Sequence, residues 1–370
     1  MRAACCLIFC CLIFVSRCDA ASAGASVVPC IGDVKLSDAA SDAPVVDVVF
    51  RWVNPTSVAG KLRGQVRRYR DNDELRFSMR SWSRVTGVRR LHIVGKGEPP
   101  GWLVPKHRRA HFWNETSLLE QLILERGLAG VALAVSNSEP AKLAIAYVPG
   151  LADRIIISDD DYYVVPARGG VMPSTRIFFD HAGIPLHTSA VMMSHRPIPM
   201  LRDAYLSAVA AEPDSRLRAI LTSGVALRSR DRMSSDHLPA WCAAMWRNGT
   251  ARPVKFPYPH HTPVDPSLDP GAFLAVRKDK SASCPKCQCN EKRSDAFSLH
   301  WHTGVFIKGG SSNAVLAAGF FDAVRCLRPY VICVNDDWPI APDAYERAIA
   351  PLRRFLLESF PGAESWERGS

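Results

Sequence analysis

Several signatures are missing from this chain of 370 residues, and each absence excludes a class. Beyond residue 20 no apolar run is long enough to span a bilayer. No long Lys/Arg block and no RNA-binding aromatic motif is present. The densest basic groups are only Arg67–Arg70, Arg89/Arg90 and Arg228–Arg232, so the net charge of +10 does not point to nucleic acid. It fits an anionic small substrate better. No internal repeat of roughly 20 to 50 residues exists, which excludes solenoids and propellers. No second CxxC pair and no paired histidines at finger spacing accompany Cys284-Pro-Lys-Cys287-Gln-Cys289, so zinc is a weak reading there. What remains, 47% hydrophobic and 22% charged, is the balance of a globular enzyme.

The N-terminus sets the expected compartment. Arg2 precedes an unbroken apolar run from Ala3 to Val15, and Cys18-Asp19-Ala20 offers small residues for cleavage. Residues 1–20 therefore read as a signal peptide, with an uncleaved type II anchor as the alternative. Either places the chain in the secretory pathway, in the Golgi lumen or secreted. An oxidising compartment makes disulfides the default for Cys30, Cys242, Cys284, Cys287, Cys289, Cys326 and Cys333. Asn114-Glu-Thr116 and Asn248-Gly-Thr250 are glycosylation sequons.

Residues 21–43 read as an Ala/Ser/Asp-rich linker, and 44–370 as one domain. The β-branched run Val45–Val53 predicts a buried strand. The next helix has Asp71 as its N-cap and Glu74 at the third position, with Leu75, Met79 and Trp82 on its core face. Strands follow at Leu91–Gly95, near His111 and at Arg154–Ser158. Helices follow through Leu118–Leu124 and after Ser136-Asn137-Ser138. A last helix spans Pro342–Phe360 with Tyr345, Ile349, Leu352 and Leu356 as its stripe. Pro351 is expected to kink it. The alternation predicts an α/β fold, a mainly parallel sheet flanked by helices of GT-A/Rossmann-like type. Residues 165–325 are less regular, and 251–295 read as a Pro/Cys-rich insertion loop.

Asp159-Asp160-Asp161 stands at the carboxyl end of a predicted strand, where sites of such sheets lie. Three adjacent carboxylates suggest a divalent metal on a diphosphate; the plainer reading is a solvated turn. The segment Arg70–Ser81 crowds cations and carboxylates around a helix start, where phosphate also binds. Its plainer reading is a capped surface helix.

These segments together carry a resemblance. Asp47-Val-Val-Phe-Arg-Trp52-Val-Asn54, Arg70-Asp-Asn-Asp-Glu-Leu-Arg-Phe-Ser-Met-Arg-Ser81 with Pro100-Gly-Trp-Leu103, and Ile157-Ser-Asp-Asp-Asp161 resemble the first two blocks of the Stealth phosphotransferases. His195-Arg196-Pro197 with Arg230-Asp-Arg232 resembles the third block. Cys333-Val-Asn335-Asp336-Asp337 with Ser365-Trp366-Glu367 resembles the fourth. That family transfers a sugar-1-phosphate from a nucleotide sugar to a hydroxyl.

The resemblance implies catalytic roles for Asp161, His195, Arg232, Asp71 and Glu74. It implies substrate contacts from Trp52, Asn54, Arg76, Arg80, Asn137, Lys142 and Asn335, and Mg2+ or Mn2+ on Asp160, Asp161 and Asp336. Implied partners are UDP-GlcNAc, a UDP-hexose or GDP-mannose, and a glycan or glycoprotein acceptor; a homodimer is a further option. Plainer readings stand beside these: Trp52 as core, Arg76 and Arg80 as partners of carboxylates, His195 as a turn residue, and Asn335-Asp336 as a helix N-cap. One departure is marked, since Lys142 stands where the family carries a glutamate, with Glu139 on the same helical face. Transfer of the bare sugar by a GT-A enzyme, and a weakened glycan-binding paralogue, are the rival functions.

Overall fold

The computed structural model describes residues 42–54, 72–133, 139–166, 170–179, 182–187, 197–222, 252–253, 302–306, 321, 331–335 and 342–369. The expected signal peptide, the linker up to residue 41 and the insertion at 251–295 (apart from 252–253) lie outside the described residues. So do all the cysteines except Cys333, of which only the strand position is described.

In chain order the strands are β1 (Val46–Val53), β2 (Val88–Lys96), β3 (Ala110–Asn114), β4 (Arg154–Asp159), β5 (Tyr162–Val164), β6 (Leu186–His187), β7 (Ile198–Leu201), β8 (Arg252–Pro253), β9 (His302–Phe306) and β10 (Val331–Asn335). The helices are α1 (Glu74–Ser83), α2 (Glu115–Glu125), α3 (Glu139–Ile145), α4 (Arg202–Ala210), α5 (Asp214–Thr222) and α6 (Pro342–Ser359). The central sheet runs β3-β2-β1-β4-β7. Its first four strands are parallel, and β7 lies antiparallel along β4. The α/β class with a mainly parallel sheet flanked by helices is what the alternating pattern predicted.

Strand alternation splits the core between two faces. Val49, Val94, Ile155 and Ile157 pack under α2, α3, α4 and α5. Val48, Phe50, Ile93 and Ile156 pack under α1, whose Leu75, Met79 and Trp82 are buried as the 3.6-residue period required. The α6 stripe is buried too, and Pro351 lies inside that helix without ending it.

Three features differ from the sequence reading. A second sheet, β5-β10-β9, and a two-stranded pair, β6-β8, stand beside the central one. The β5 strand is only Tyr162–Val164, too short to leave a periodic signal. The helices α4 and α5 occupy part of the segment read as irregular. Finally, α1 begins at Glu74, not earlier: Asp73 is its N-cap, with φ 59° and no side-chain cap bond. Tertiary bonds fix this start. Asn72 Nδ2 donates to buried Glu74 at 2.9 Å, and the Tyr345 hydroxyl of α6 donates to Asn72 Oδ1. Asp71 lies outside the described residues.

At the N-terminal edge of the sheet, Asp47 is fully buried. It accepts from Arg89 (3.0 and 2.6 Å) and from the Ala152 amide (2.8 Å). Trp113 Nε1 donates to His92 Nδ1 at 3.0 Å, which leaves His92 Nε2 as the hydrogen-bearing nitrogen facing Asp47 at 3.2 Å. Burial pushes the Asp47 carboxyl up, but the His92 and Arg89 hydrogen bonds outweigh it and hold it at about 2. A register shift between Val46 and Asp47 skips Arg89 in the pairing, so its guanidinium is released toward Asp47.

Candidate active site

Four parallel strands deliver their carboxyl ends to one edge. The core run Ile155-Ile156-Ile157 is buried, so β4 must surface where its polar residues begin. Asp159, Asp160 and Asp161 are half-buried there. Asp159 sits level with Arg51 of β1, and the two side chains form an ion pair. Its second oxygen accepts from the Tyr162 hydroxyl at 3.1 Å. Arg51 therefore helps to offset the acidic turn from within the fold. The signal for it was a single cation in an apolar strand, level with the acidic end of the next.

The turn is braced from two sides. Ser78 Oγ of α1 donates to the Tyr162 carbonyl, and the Val164 amide donates to Ser81 Oγ at 3.0 Å. From the other side, Val334 N donates to the Asp161 carbonyl at 3.1 Å, and Cys333 pairs antiparallel with Tyr162. The end of β10, with Asn335, is thereby brought to Asp161, two motifs far apart in sequence. The side chain of Asn335 and all of Asp336 lie outside the described residues.

Further along the edge, Asn54 Nδ2 donates to the Glu98 carbonyl at 3.0 Å and so braces the loop after β2. Trp52 is 7% exposed and meets Phe112 edge-on at 6.4 Å, in the core on the α1 face. Gly95 permits this approach: a Cβ there would stand 2.6 Å from Phe112 Cε2. Asn114 caps α2, its Oδ1 accepting from Thr116 N (2.9 Å) and Ser117 N (3.3 Å). Buried Glu115 faces Lys96 at 3.4 Å. Burial raises the Glu115 carboxyl, and the lysine offsets only part of that.

The α1 cations are placed elsewhere. Arg76 Nε donates to Glu367 Oε2 at 2.6 Å; Arg80 donates to both Glu367 oxygens, at 2.6 Å each. The Glu367 side chain is fully buried, and the Glu364 amide adds a 3.1 Å bond. Burial works to raise its carboxyl, but Arg80 and Arg76 hold it low. These contacts fasten the segment Ser365-Trp366-Glu367 to α1, which the sequence motif did not foretell. Lys142 lies in α3 on the opposite face of the sheet, half-buried, its carbonyl accepting from the Tyr205 hydroxyl. Asn137, His195 and Arg232 lie outside the described residues, as does the Glu139 side chain.

Among the described residues no three His, Cys, Asp or Glu side chains converge on a point. Asp160 and Asp161 are nonetheless hard oxygen donors, in the number that magnesium takes from a protein when phosphate and water complete its shell. The donor set fits such an ion and not a thiolate-seeking one.

No family model matches the chain. An exopolysaccharide phosphotransferase of Streptomyces coelicolor is 25% identical over 158 residues, 38% of this chain and 26% of that protein. The capsular polysaccharide phosphotransferase SacB of Neisseria meningitidis serogroup A is 25% identical over 131 residues, 32% of this chain and 22% of its own length. The matches thus span about a quarter of these relatives. Among solved structures, the apo-form glycosyltransferase GlyE of Streptococcus pneumoniae TIGR4 aligns over 63% of this chain and 49% of its own. The two are 9% identical, with a TM-score of 0.28. Over about a third of its length, then, this chain is similar to bacterial polysaccharide phosphotransferases.

Proposed function

We propose that the chain transfers a hexose-1-phosphate or N-acetylhexosamine-1-phosphate from a nucleotide-diphosphate sugar to a glycan hydroxyl. UDP-GlcNAc, a UDP-hexose and GDP-mannose are the donors to test first, and the secretory pathway is the expected setting. The reading rests above all on the acidic turn after β4, held against the end of β10 by the 3.1 Å bond from Val334 N to Asp161. The similarity to polysaccharide phosphotransferases supports it.

In this reading the acceptor oxygen attacks the β-phosphorus. A new P–O bond forms, the bond to the nucleoside monophosphate breaks, and the acceptor proton passes to a base. His195 is the candidate for that base. Asp160 and Asp161, with Asp336 beyond β10, are the proposed holders of Mg2+ or Mn2+, which would supply positive charge against the diphosphate oxygens. Arg232 is the proposed clamp on the transferring phosphoryl group. Asp71 and Glu74 are the further proposed catalytic residues, and Asn54, Asn137 and Asn335 the proposed donor contacts; Trp52 in the core, Arg76 and Arg80 on Glu367, and Lys142 on the opposite face are engaged elsewhere.

The test is a donor screen on the secreted protein with magnesium or manganese, reading the released nucleotide by mass beside Asp161→Asn. Nucleoside monophosphate that vanishes in the variant supports phosphotransfer. Nucleoside diphosphate would replace this reading with transfer of the bare sugar. Glycan binding without nucleotide-sugar binding would leave a weakened paralogue, and Lys142→Glu would be the next variant.

A further inference from the structure

The N-terminal edge of the sheet, opposite the acidic turn, carries unbalanced positive charge. Most of its acids are held by cations: Asp47 by Arg89, Asp153 and Asp203 by Arg202, Asp214 by Arg126 and Glu212 by Arg216, while Glu125 is bonded to Gln121 and Tyr147. Nearby Glu364 meets Arg84. Arg90, Lys106, Arg108 and Arg109 have no carboxylate partner among the described residues; Arg109 donates to the Ser83 carbonyl instead. Arg90 and Arg108 meet around His111 where β3 starts beside β2, with Leu91 N bonded to the Arg109 carbonyl at 2.8 Å and His107 folded back on Ala110; the Arg109 side chain turns instead to the α1 face, and exposed Lys106 lies two residues before Arg108. The histidines among them register the field. The His107 ring is held below its usual range by burial and then by Arg108 and Arg109. His111 is lowered by burial, then His92, with Arg90 adding.

Beside this cluster opens a cavity of about 450 Å³, lined by Gln121, Glu125, Arg126, Tyr147, Pro149 and Leu206 among others. That volume suits a small ligand or one unit of a polymer. Its walls mix an aromatic ring and aliphatic carbon with amide, carboxylate and hydroxyl groups, the mixture that a pyranose with its apolar faces and hydroxyl rim requires. Tyr147 is raised to about 12 by burial and then by its bond to Glu125, which engages its hydroxyl proton and leaves the ring face and the oxygen lone pairs for a ligand. The cavity reaches Arg89 and Arg90. Arg89 Nη2 donates to the Gly150 carbonyl at 2.7 Å, next to Pro149, and Arg90 lies 3.8 Å from where a Gly150 Cβ would stand.

We propose that this edge binds an anionic glycan chain, one saccharide unit seated at Tyr147 and the charged groups of neighbouring units on Arg90, Lys106 and Arg108. The proposal deepens the reading above, in which a glycan is the acceptor, by giving that chain a second foothold at the far end of the sheet.

The test uses the full chain with dextran phosphate, neutral dextran of matched length, and a single-stranded oligonucleotide of matched charge. Dextran phosphate is expected to bind about tenfold tighter than dextran, and Arg90→Glu with Arg108→Glu to remove that margin. Lys106→Ala with Arg108→Ala, both exposed, is expected to remove part of it even where charge reversal harms folding. Nucleotide-sugar binding, measured on the same variants, is expected to stay unchanged, which separates failure here from failure of the catalytic reading. Equal binding of dextran and dextran phosphate, full affinity in the alanine pair, or equally tight oligonucleotide binding would each overturn the proposal.

Discussion

Replacing Glu367 with glutamine keeps the side chain's shape and removes its charge. Three guanidinium N–H groups then lose a carboxylate that they approach at 2.6 Å, in a site where the Glu367 side chain has no exposure. Two arginines are left with an unmatched demand, and Arg80 is itself buried. Breaking one member of such a buried pair costs about 3–5 kcal/mol. For a domain of this size each kcal/mol moves the midpoint by about 2–4 °C, so Glu367→Gln is expected to melt roughly 10 °C lower. Near-UV circular dichroism with heating, and urea titration, read this out. A double-mutant cycle with Arg80→Met isolates the pair: the second change should cost far less in the Gln background than in wild type. A melt within about 1 °C of wild type, or additive losses, would refute the clasp as a major source of stability.

Acid sensitivity should trace partly to Asp47. Its carboxyl is held at about 2 against 3.8 in the unfolded reference, so its contribution is complete above pH 4 and disappears as pH falls toward 2. That share is about 2 kcal/mol, and Asp47→Asn should show a flatter stability profile over the same range; an identical profile would count against it. Gly95→Ala should cost about 1–3 kcal/mol, because the new Cβ stands 2.6 Å from Phe112 Cε2; a neutral urea midpoint would mean that the ring moves freely. Asn114→Ala should cost about 1 kcal/mol through loss of the α2 cap, and Asn114→Asp should restore most of it. Equal midpoints for Ala and Asp would refute a capping role.

Much of the fold could be read from periodicity. The β1, β2 and β4 runs and the α1 and α6 stripes are segments where burial dictates residue type. The acidic turn was legible for the same reason: polar residues must follow where a buried strand ends. What escaped were features set by distant partners. The start of α1 depends on Tyr345, and β5 becomes a strand only because β10 pairs with it. The Arg76 and Arg80 partnership with Glu367 crosses 291 and 287 positions, beyond any local pattern. Local rules favoured Asp71 as the N-cap, and a tertiary hydrogen bond overrode them.

The bond between Val334 and Asp161 has a kinetic consequence. The two walls of the acidic turn belong to chain segments that emerge from synthesis or collapse at quite different times. Within the central sheet β1 meets β2 across 42 positions (Val46 to Val88) and β4 across 108 (Asp47 to Ile155), whereas the β5–β10 pairing closes the longest loop, 171 positions from Tyr162 to Cys333. In refolding, then, secondary structure and much of the core should return before nucleotide-sugar binding does, and any catalytic activity should be the last property regained.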